Sequence, residues 1–194
     1  MYIQKNGNSK LKGIPIFSLP PKITCIGSTP LCRKYCYGNK SWIYPNVRKR
    51  RLENLEESKK PSFVREMVNK IKSLNAKYFR IHETGDFYSQ RYLNKWIKIM
   101  KQLPNVKFLI FTKSFQLNWS EALKLKNAII YWSVFPDSEN IPKEGRYAYI
   151  IGDKEEFNYK VPGNARICPY PYKTCDQCMR CFTAPSKNLI WHLH

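Results

Sequence analysis

The sequence lacks a long apolar run. Nowhere in its 194 residues does a stretch approach the roughly 18 apolar residues that a membrane-spanning helix needs, which excludes a helical membrane protein. The opening residues, MYIQKNGNSKLKG, contain no apolar segment of the kind found in secretory signal peptides. We therefore expect a soluble protein of the cytoplasm that has no membrane partner.

Acidic residues are scarce. Asp and Glu total 14 against 34 Lys and Arg, which gives a formal net charge of +20 at pH 7. This excess of positive charge predicts attraction to a polyanion, and nucleic acid is the expected partner. The alternative is that the lysine content only reflects a biased genome. The residues that we assign to nucleic-acid binding form one dense basic cluster and one face of a predicted helix: Arg48, Lys49, Arg50, Arg51, Lys95, Lys98 and Lys101.

Cysteine is absent from the middle of the chain, and all seven cysteines lie in two groups near its ends. The N-terminal cysteines are Cys25, Cys32 and Cys36, and the C-terminal cysteines are Cys168, Cys175, Cys178 and Cys181. A reducing compartment disfavours disulfides, and the odd number would leave one thiol unpaired. Core cysteines would be scattered singly among apolar residues, whereas short spacings bring thiolates together around a soft metal centre. We therefore predict that all seven are metal ligands.

The spacing leaves the metal and the grouping open. Four thiolates suit either zinc or an iron–sulfur cluster, and the C-x2-C-x2-C run that ends at Cys181 is typical of ferredoxin-like clusters. The C-terminal site is therefore either a [4Fe–4S] cluster or zinc. A three-cysteine N-terminal site would leave one iron open, as catalytic metal sites do. Alternatively, Cys168 completes the N-terminal site, and the cysteines divide four plus three.

Strand and helix patterns alternate along the chain. Candidate strands cover residues 14–19, 78–82, 106–112, 128–135 and 147–151, and candidate helices cover 46–60, a segment from Pro61, 92–103 and 121–126. This alternation predicts an α/β fold with a parallel sheet of about five strands. We divide the chain into a flexible segment at 1–13, the α/β core at 14–152, and a small cysteine-rich metal-binding extension at 153–194.

Polar residues directly follow several of the apolar strands. Functional side chains of parallel α/β folds lie at the carboxyl ends of strands, so these residues should share one site with the first cysteine loop. The alternative is an ordinary turn in which Asp86 begins the next helix. The candidate cofactor-binding residues are Glu83, Thr84, Gly85, Asp86 and Lys113.

Several segments resemble the phage family called gene product eighty-eight. They are residues 17–25 with Cys32 and Cys36, the RIHETGDFYS segment at 80–89 with the helix pattern after it, FTKS at 111–114, and the ends of the C-terminal cysteine group. The resemblance covers most of residues 14–183. It implies a phage-encoded protein that acts inside the host cell.

The chain is more distantly similar to radical S-adenosylmethionine enzymes. Those enzymes carry three cysteines on the loop after the first strand of a partial TIM barrel, where this chain has Cys25, Cys32 and Cys36. After the second strand they carry a Gly-Gly-Glu-type motif, where this chain has Glu83 to Asp86. The resemblance implies an open, partial TIM-barrel-like sheet, a [4Fe–4S] cluster, and S-adenosylmethionine held by Glu83 and Asp86.

The sequence thus predicts an iron–sulfur protein that is a radical S-adenosylmethionine-like enzyme acting on a nucleic acid or nucleotide. One alternative is a basic nucleic-acid-binding protein without catalytic activity, in which iron–sulfur or zinc sites are structural. Another is an iron–sulfur protein that transfers electrons.

Overall fold

The protein is built on one parallel β-sheet. The computed structural model describes residues 1–193, and within them the sheet has seven strands. The strands are β1 Ile16–Phe17, β2 Tyr78–Ile81, β3 Lys107–Thr112, β4 Ala128–Val134, β5 Arg146–Ile151, β6 Arg166–Ile167 and β7 Asn188–His192. The helices are α1 Pro30–Lys34, α2 Gly38–Trp42, α3 Pro45–Lys59, α4 Phe63–Ser73, α5 Gln90–Gln102, α6 Ser120–Leu123, α7 Cys175–Cys178 and α8 Arg180–Thr183, with a single 3-10 turn at Glu155–Phe157.

The strand order is β1-β2-β3-β4-β5-β7-β6, and every neighbouring pair is parallel. The first five strands therefore follow the order of the chain. This order is typical of (β/α) barrels and differs from doubly wound sheets, in which the order reverses at a switch point. The sheet is not closed, because β1 and β6 form its two edges.

Helices cover one face of the sheet. The apolar sides of α4 and α5 pack on this face, with Phe63, Met67 and Trp96 fully buried against Phe79. Ser89 caps the start of α5 by accepting a hydrogen bond from the Tyr92 backbone N–H. No helix in the described part of the chain is long and apolar enough to cross a membrane.

Segments near both ends of the chain pack on the opposite face, which we call the inner face. The side chains of Leu11 and Ile14 pack there with Leu109, Tyr131 and Phe182. The segment around α7 and α8 lies towards the amino ends of the strands, since the Lys107 ammonium donates to the Phe182 carbonyl at 3.3 Å and the Tyr78 ring lies 5.0 Å from the Phe182 ring. The first residues of the chain do not belong to this face, because Met1 and Ile3 pack in the cluster of the helix-covered face.

One expectation about organisation needs correction. The sheet has seven strands rather than about five, because β6 and β7 join it. β7, which lies in the predicted C-terminal extension, pairs along its whole length with β5. In the predicted N-terminal segment, Ile3 and Leu11 are buried and Gln4 is bridged to Ile16. The division of the chain into three segments stays a prediction.

Candidate functional site

The loops that follow the first three strands meet at the carboxyl edge of the sheet. The N-terminal cysteines lie in the segment between β1 and α3, where Cys32 belongs to the short helix α1. Glu83 to Asp86 follow β2, and Lys113 follows β3. We call the segment that carries the N-terminal cysteines the cysteine loop. A hydrogen bond also connects the start of α1 to the loop after β4, since the Leu31 backbone N–H donates to Asp137 Oδ2 at 2.8 Å. The structure thus gathers the predicted strand-end residues at one edge.

Asp86 joins β2 to β3. Its Oδ1 accepts hydrogen bonds from Thr112 Oγ1 at 2.7 Å and from the Phe87 N–H at 2.8 Å, and its Oδ2 accepts from the Lys113 N–H at 2.8 Å. Burial raises the pKa of this carboxyl, and the three bonds oppose that rise. Asp86 is only 5% exposed, so its carboxylate binds the protein's own donors beneath the site.

Glu83 forms a largely buried ion pair with Arg51. The Arg51 guanidinium donates to Glu83 Oε2 at 3.1 Å, and the Asn8 amide donates to Oε1 at 3.1 Å. The Tyr37 hydroxyl donates to the Glu83 backbone carbonyl. Burial lowers the pKa of Arg51, and the Glu83 charge opposes this effect. Glu83 therefore holds α3, the N-terminal segment and the cysteine loop together.

Thr84 and Gly85 form the turn on which the cysteine loop rests. The Thr84 hydroxyl donates to the Leu19 carbonyl at 3.0 Å. Gly85 has φ +77°, and a Cβ atom there would lie 2.6 Å from Leu19 Cβ and 2.7 Å from Thr24 Oγ1. Both the backbone conformation and the close approach require glycine at this position.

The N-terminal cysteines are half-buried free thiols that interact with one another. Burial, with a smaller effect from Asp86, raises the pKa of Cys25 to about 12, and Lys113 opposes the rise. Burial also raises the pKa of Cys32, with Cys36 adding to the shift. Burial therefore favours the neutral thiol form of Cys25 and Cys32.

Lys113 is the cation beside these thiols. Its hydrogen bond to Cys32 and its charge both lower the pKa of that thiol. Its ammonium lies 5.0 Å from the centroid of the Phe135 ring. Of the five candidate cofactor-binding residues, Lys113 is therefore the one whose side chain lies directly against the cysteines.

The C-terminal cysteines line a separate cavity on the inner face of the sheet. All four border it, together with Leu109, Phe182 and Leu189. Burial raises the pKa of Cys181 to about 12, and the charges of Cys168, Cys175 and Cys178 add to the rise. The contacts of the thiols thus fall into one group of three and one group of four.

Neither group has the compact arrangement of ligands around a single ion. Among residues 1–193, no three His, Cys, Asp or Glu side chains are close enough together to hold one metal ion. The predicted metal-binding extension is therefore not shown as such, and metal ligation by either group stays a prediction.

The predicted nucleic-acid-binding residues divide into exposed and buried ones. Arg51 and Lys95 are 6% and 9% exposed, so they do not belong to a basic surface. The Lys95 ammonium instead donates to the backbone carbonyls of Ser58, Lys59 and Lys60 at 2.7–2.9 Å, at the end of α3. The exposed members are Arg48, Lys49, Arg50, Lys98 and Lys101.

Two cations that we did not single out from the sequence, Lys10 and Arg80, lie near the C-terminal cysteines. Arg80 is a charged residue in the middle of the otherwise apolar strand YFRI, and it is 4% exposed. The sequence could have identified Arg80, because a charged residue within a buried strand requires a specific partner. Lys10 carried no such signal, since its segment is polar throughout.

Comparison with known proteins agrees with the resemblance of the motifs. Residues 2–185 match the family described as Gene product 88. The chain belongs to this family. It is 26% identical over 192 residues to the Gene 88 protein of Mycobacterium phage D29, covering 87% of this chain and 78% of that protein. It is also 26% identical over 161 residues to the Gene 88 protein of Mycobacterium phage L5, covering 74% of this chain and 66% of that protein. No solved structure gives a significant match to the chain.

Proposed function

We propose that this member of the Gene product 88 family is a radical S-adenosylmethionine-like enzyme that acts on a nucleic acid or nucleotide inside the infected cell. Its N-terminal cysteines would hold a [4Fe–4S] cluster with one open iron. The observation that carries the proposal is the loop of three thiols at the carboxyl edge of a parallel sheet whose first five strands follow chain order. Active sites of (β/α) barrels form at this edge.

The number of thiols supports an open iron. The other four cysteines line a different cavity, so the N-terminal cysteines offer three thiolates to a cluster that has four irons. A cluster also binds its thiolates through separate irons. Each thiolate would therefore need to reach only its own iron, whereas one zinc ion holds all its ligands at about 2.3 Å.

The charge at this edge also fits a cluster. Burial favours the neutral form of the Cys25 and Cys32 thiols, and these residues would hold an iron centre as thiolates stabilised by its positive charge. When bound, the cluster and S-adenosylmethionine supply the radical chemistry, while the protein positions the cofactor and excludes water.

The surrounding residues have distinct roles in the proposed site. Lys113 lies beside the thiols and would pair with a carboxylate of the cofactor. The carboxylate of Glu83 can accept roughly four hydrogen bonds and accepts two from side chains of the protein. It could therefore accept further hydrogen bonds from the amine of a cofactor. Asp86 receives three donors from the protein itself, so we assign it to positioning β3 and Lys113 rather than to contact with the cofactor.

The surface beside the cysteine loop supports a nucleic-acid substrate. Large apolar side chains are exposed along this loop and at the start of α3, including Ile23, Ile43 and Tyr44 at 59%, 70% and 59%. The exposed cations Arg48 and Lys49 follow in the first turns of α3. An exposed aromatic ring such as Tyr44 beside basic side chains is a feature of surfaces that bind single-stranded nucleic acids.

The first experiment is anaerobic purification followed by iron, sulfide and zinc analysis, with EPR of the reduced protein with and without S-adenosylmethionine. We expect iron with sulfide, and a spectrum that changes when S-adenosylmethionine is added. The change should disappear in Cys32→Ser and persist in the matched variant Cys178→Ser. An unchanged spectrum would favour closed clusters that transfer electrons, and zinc without sulfide would overturn the iron–sulfur assignment.

A second candidate is a basic nucleic-acid-binding protein without catalytic activity, and the exposed cations of α3 favour it. We would measure binding to single-stranded DNA and RNA as a function of salt, because each released counterion adds to the slope. Arg48→Glu with Lys49→Glu should weaken binding. Lys98→Glu with Lys101→Glu, which makes the same charge change on α5, should have a smaller effect. Binding without any response to S-adenosylmethionine would favour this candidate over the enzyme.

A further inference from the structure

The charged residues of α3 are sorted by sign along the helix. Its first half exposes Arg48, Lys49 and Arg50, and its second half exposes Glu53 and Glu56. The first turn contains no acidic residue, although a helix is stabilised by acidic side chains there. The stability of α3 alone therefore does not account for its basic first half.

An open groove runs along the outer side of α3. Every residue that lines it lies between Pro45 and Glu57, and its volume of about 620 Å³ gives room for several side chains of a partner. Arg48, Leu52 and Glu56 line the groove at intervals of four residues, so they lie on one face of the helix. The buried residues of α3 belong to a different face: they are Arg51, Asn54, Leu55 and Ser58.

The charged residues of the groove have few partners within the chain. Arg48, Lys49 and Glu53 make no ion pair within residues 1–193, even though Lys49 and Glu53 have the spacing of a helical pair. Glu56 pairs with Lys59 at 2.6 Å, but both side chains are more than half exposed, and a pair of this kind contributes little to stability. The groove thus offers charges of both signs to another molecule.

We propose that α3 is the contact surface of a homodimer, in which its outer face packs antiparallel on the same face of a second copy of the chain. A twofold axis beside Leu52, which is 41% exposed, brings the two leucine side chains together. Arg48 lies four residues before Leu52, and Glu56 lies four residues after it. Each Arg48 therefore faces Glu56 of the second copy, and two equivalent ion pairs form.

The mixed charge of the groove favours a second copy over a polyanion. A nucleic-acid strand that followed α3 would be repelled by the carboxylates of Glu53 and Glu56, whereas the groove is complementary to itself. The inference goes beyond the proposed function and does not depend on a metal at the cysteines. It places Arg48 in the dimer contact, so the dimer and a nucleic acid would compete for this residue.

The test is sedimentation velocity of the full chain over a range of concentrations, at low salt and under reducing conditions. The contact is small and largely polar, so we expect a dimer with a dissociation constant in the micromolar range that weakens as salt is added. Arg48→Glu and Glu56→Arg should each raise this constant roughly tenfold, because the twofold axis turns two attractive pairs into two repulsive ones. The double variant, Arg48→Glu with Glu56→Arg, exchanges the two charges and should restore dimerisation.

The matched control is Glu139→Arg, which makes the same charge change as Glu56→Arg at an exposed glutamate outside α3 and should leave the dimer unchanged. A chain that is monomeric at about 100 μM, or a double variant that dimerises no better than the single ones, would overturn the inference. Binding of single-stranded DNA separates the alternative. If Arg48→Glu weakens this binding and Glu56→Arg strengthens it in a chain that stays monomeric, the groove binds nucleic acid and the dimer is rejected. Neither result changes the response to S-adenosylmethionine, which tests the enzyme.

Discussion

The carboxylate of Asp86 accepts a hydrogen bond from the Lys113 backbone N–H at 2.8 Å, which fixes the end of β3 beside the end of β2. The Thr112 hydroxyl strengthens this junction with a bond of 2.7 Å to the same carboxylate. The cysteine loop rests on the junction, because Gly27 lies directly over the Lys113 carbonyl. The position of the N-terminal cysteines therefore depends on bonds between the ends of two strands.

Gly27→Ala should displace the cysteine loop. An added Cβ would lie 1.8 Å from the Lys113 carbonyl oxygen and 2.5 Å from its carbon, and backbone atoms cannot move aside. We expect a loss of about 1–3 kcal/mol of stability, together with less iron bound by the N-terminal cysteines. Thermal unfolding and iron analysis measure both effects.

The control is Gly163→Ala, where an added Cβ meets nothing within 4 Å. This variant should keep the unfolding temperature and the iron content of the unmodified protein. If Gly27→Ala does the same, the loop does not rest on the end of β3 in the way that we describe.

The Arg51–Glu83 pair should be worth more than a surface ion pair. Arg51→Met would leave the Glu83 carboxylate largely buried without its cation, which costs about 3–5 kcal/mol in comparable cases. The control is Lys124→Met, which breaks the exposed pair with Glu121 and should cost less than about 1 kcal/mol. Urea unfolding at neutral pH gives both free energies. Equal losses in the two variants would show that the Arg51–Glu83 pair contributes no more than a surface pair.

The inner strands and the long helices could be predicted from the sequence. Buried parallel strands are apolar on both faces, so residues 107–112 and 128–134 stand out as continuous apolar runs. The amphipathic pattern around Trp96 likewise predicts α5 closely. The edge strand β6 could not be found in this way, because it has only two residues, Arg166 and Ile167, and both are exposed.

The positions of the strand-end residues could be predicted from the sequence, but the residues that they bind could not. The position of Glu83 after an apolar strand predicts the edge of the sheet, yet nothing in its neighbourhood shows that Arg51 binds it. One periodic signal was present, since Arg51, Asn54, Leu55 and Ser58 have the spacing of a buried helix face and are all buried. Because residues 48–51 are all basic, the residue types do not show which of the four side chains is buried.

Lys95 should act on stability rather than on nucleic-acid binding. Its ammonium satisfies three backbone carbonyls at the end of α3, where helices leave carbonyls without partners. Lys95→Met should therefore cost about 1–3 kcal/mol, the typical penalty for leaving buried acceptors unpaired. Lys98→Met removes an exposed lysine of the same helix and should be nearly neutral. A loss of nucleic-acid affinity in Lys95→Met at full stability would contradict this assignment.

His82 should make the protein sensitive to acid. It is 2% exposed and its Nε2 lies 2.9 Å from the Tyr92 hydroxyl, and burial together with the nearby Arg80 lowers its pKa to about 3. In the unfolded chain the pKa returns to about 6.5. Between these values the unfolded state binds one more proton than the folded state. The stability that the neutral imidazole contributes is thus fully present above pH 6.5 and is lost as the pH falls towards 3.

The expected slope from this one group approaches about 1.4 kcal/mol per pH unit. Urea unfolding between pH 7 and pH 4 would be compared for the unmodified protein and His82→Gln, because carboxylates common to both cancel in the difference. The variant should have a flatter pH profile whatever its absolute stability, while His192→Gln, at an exposed histidine, should keep the original slope. The readout is therefore the slope. Parallel profiles for the unmodified protein and His82→Gln would mean that His82 keeps an ordinary pKa, and that the aromatic side chains around it do not exclude water.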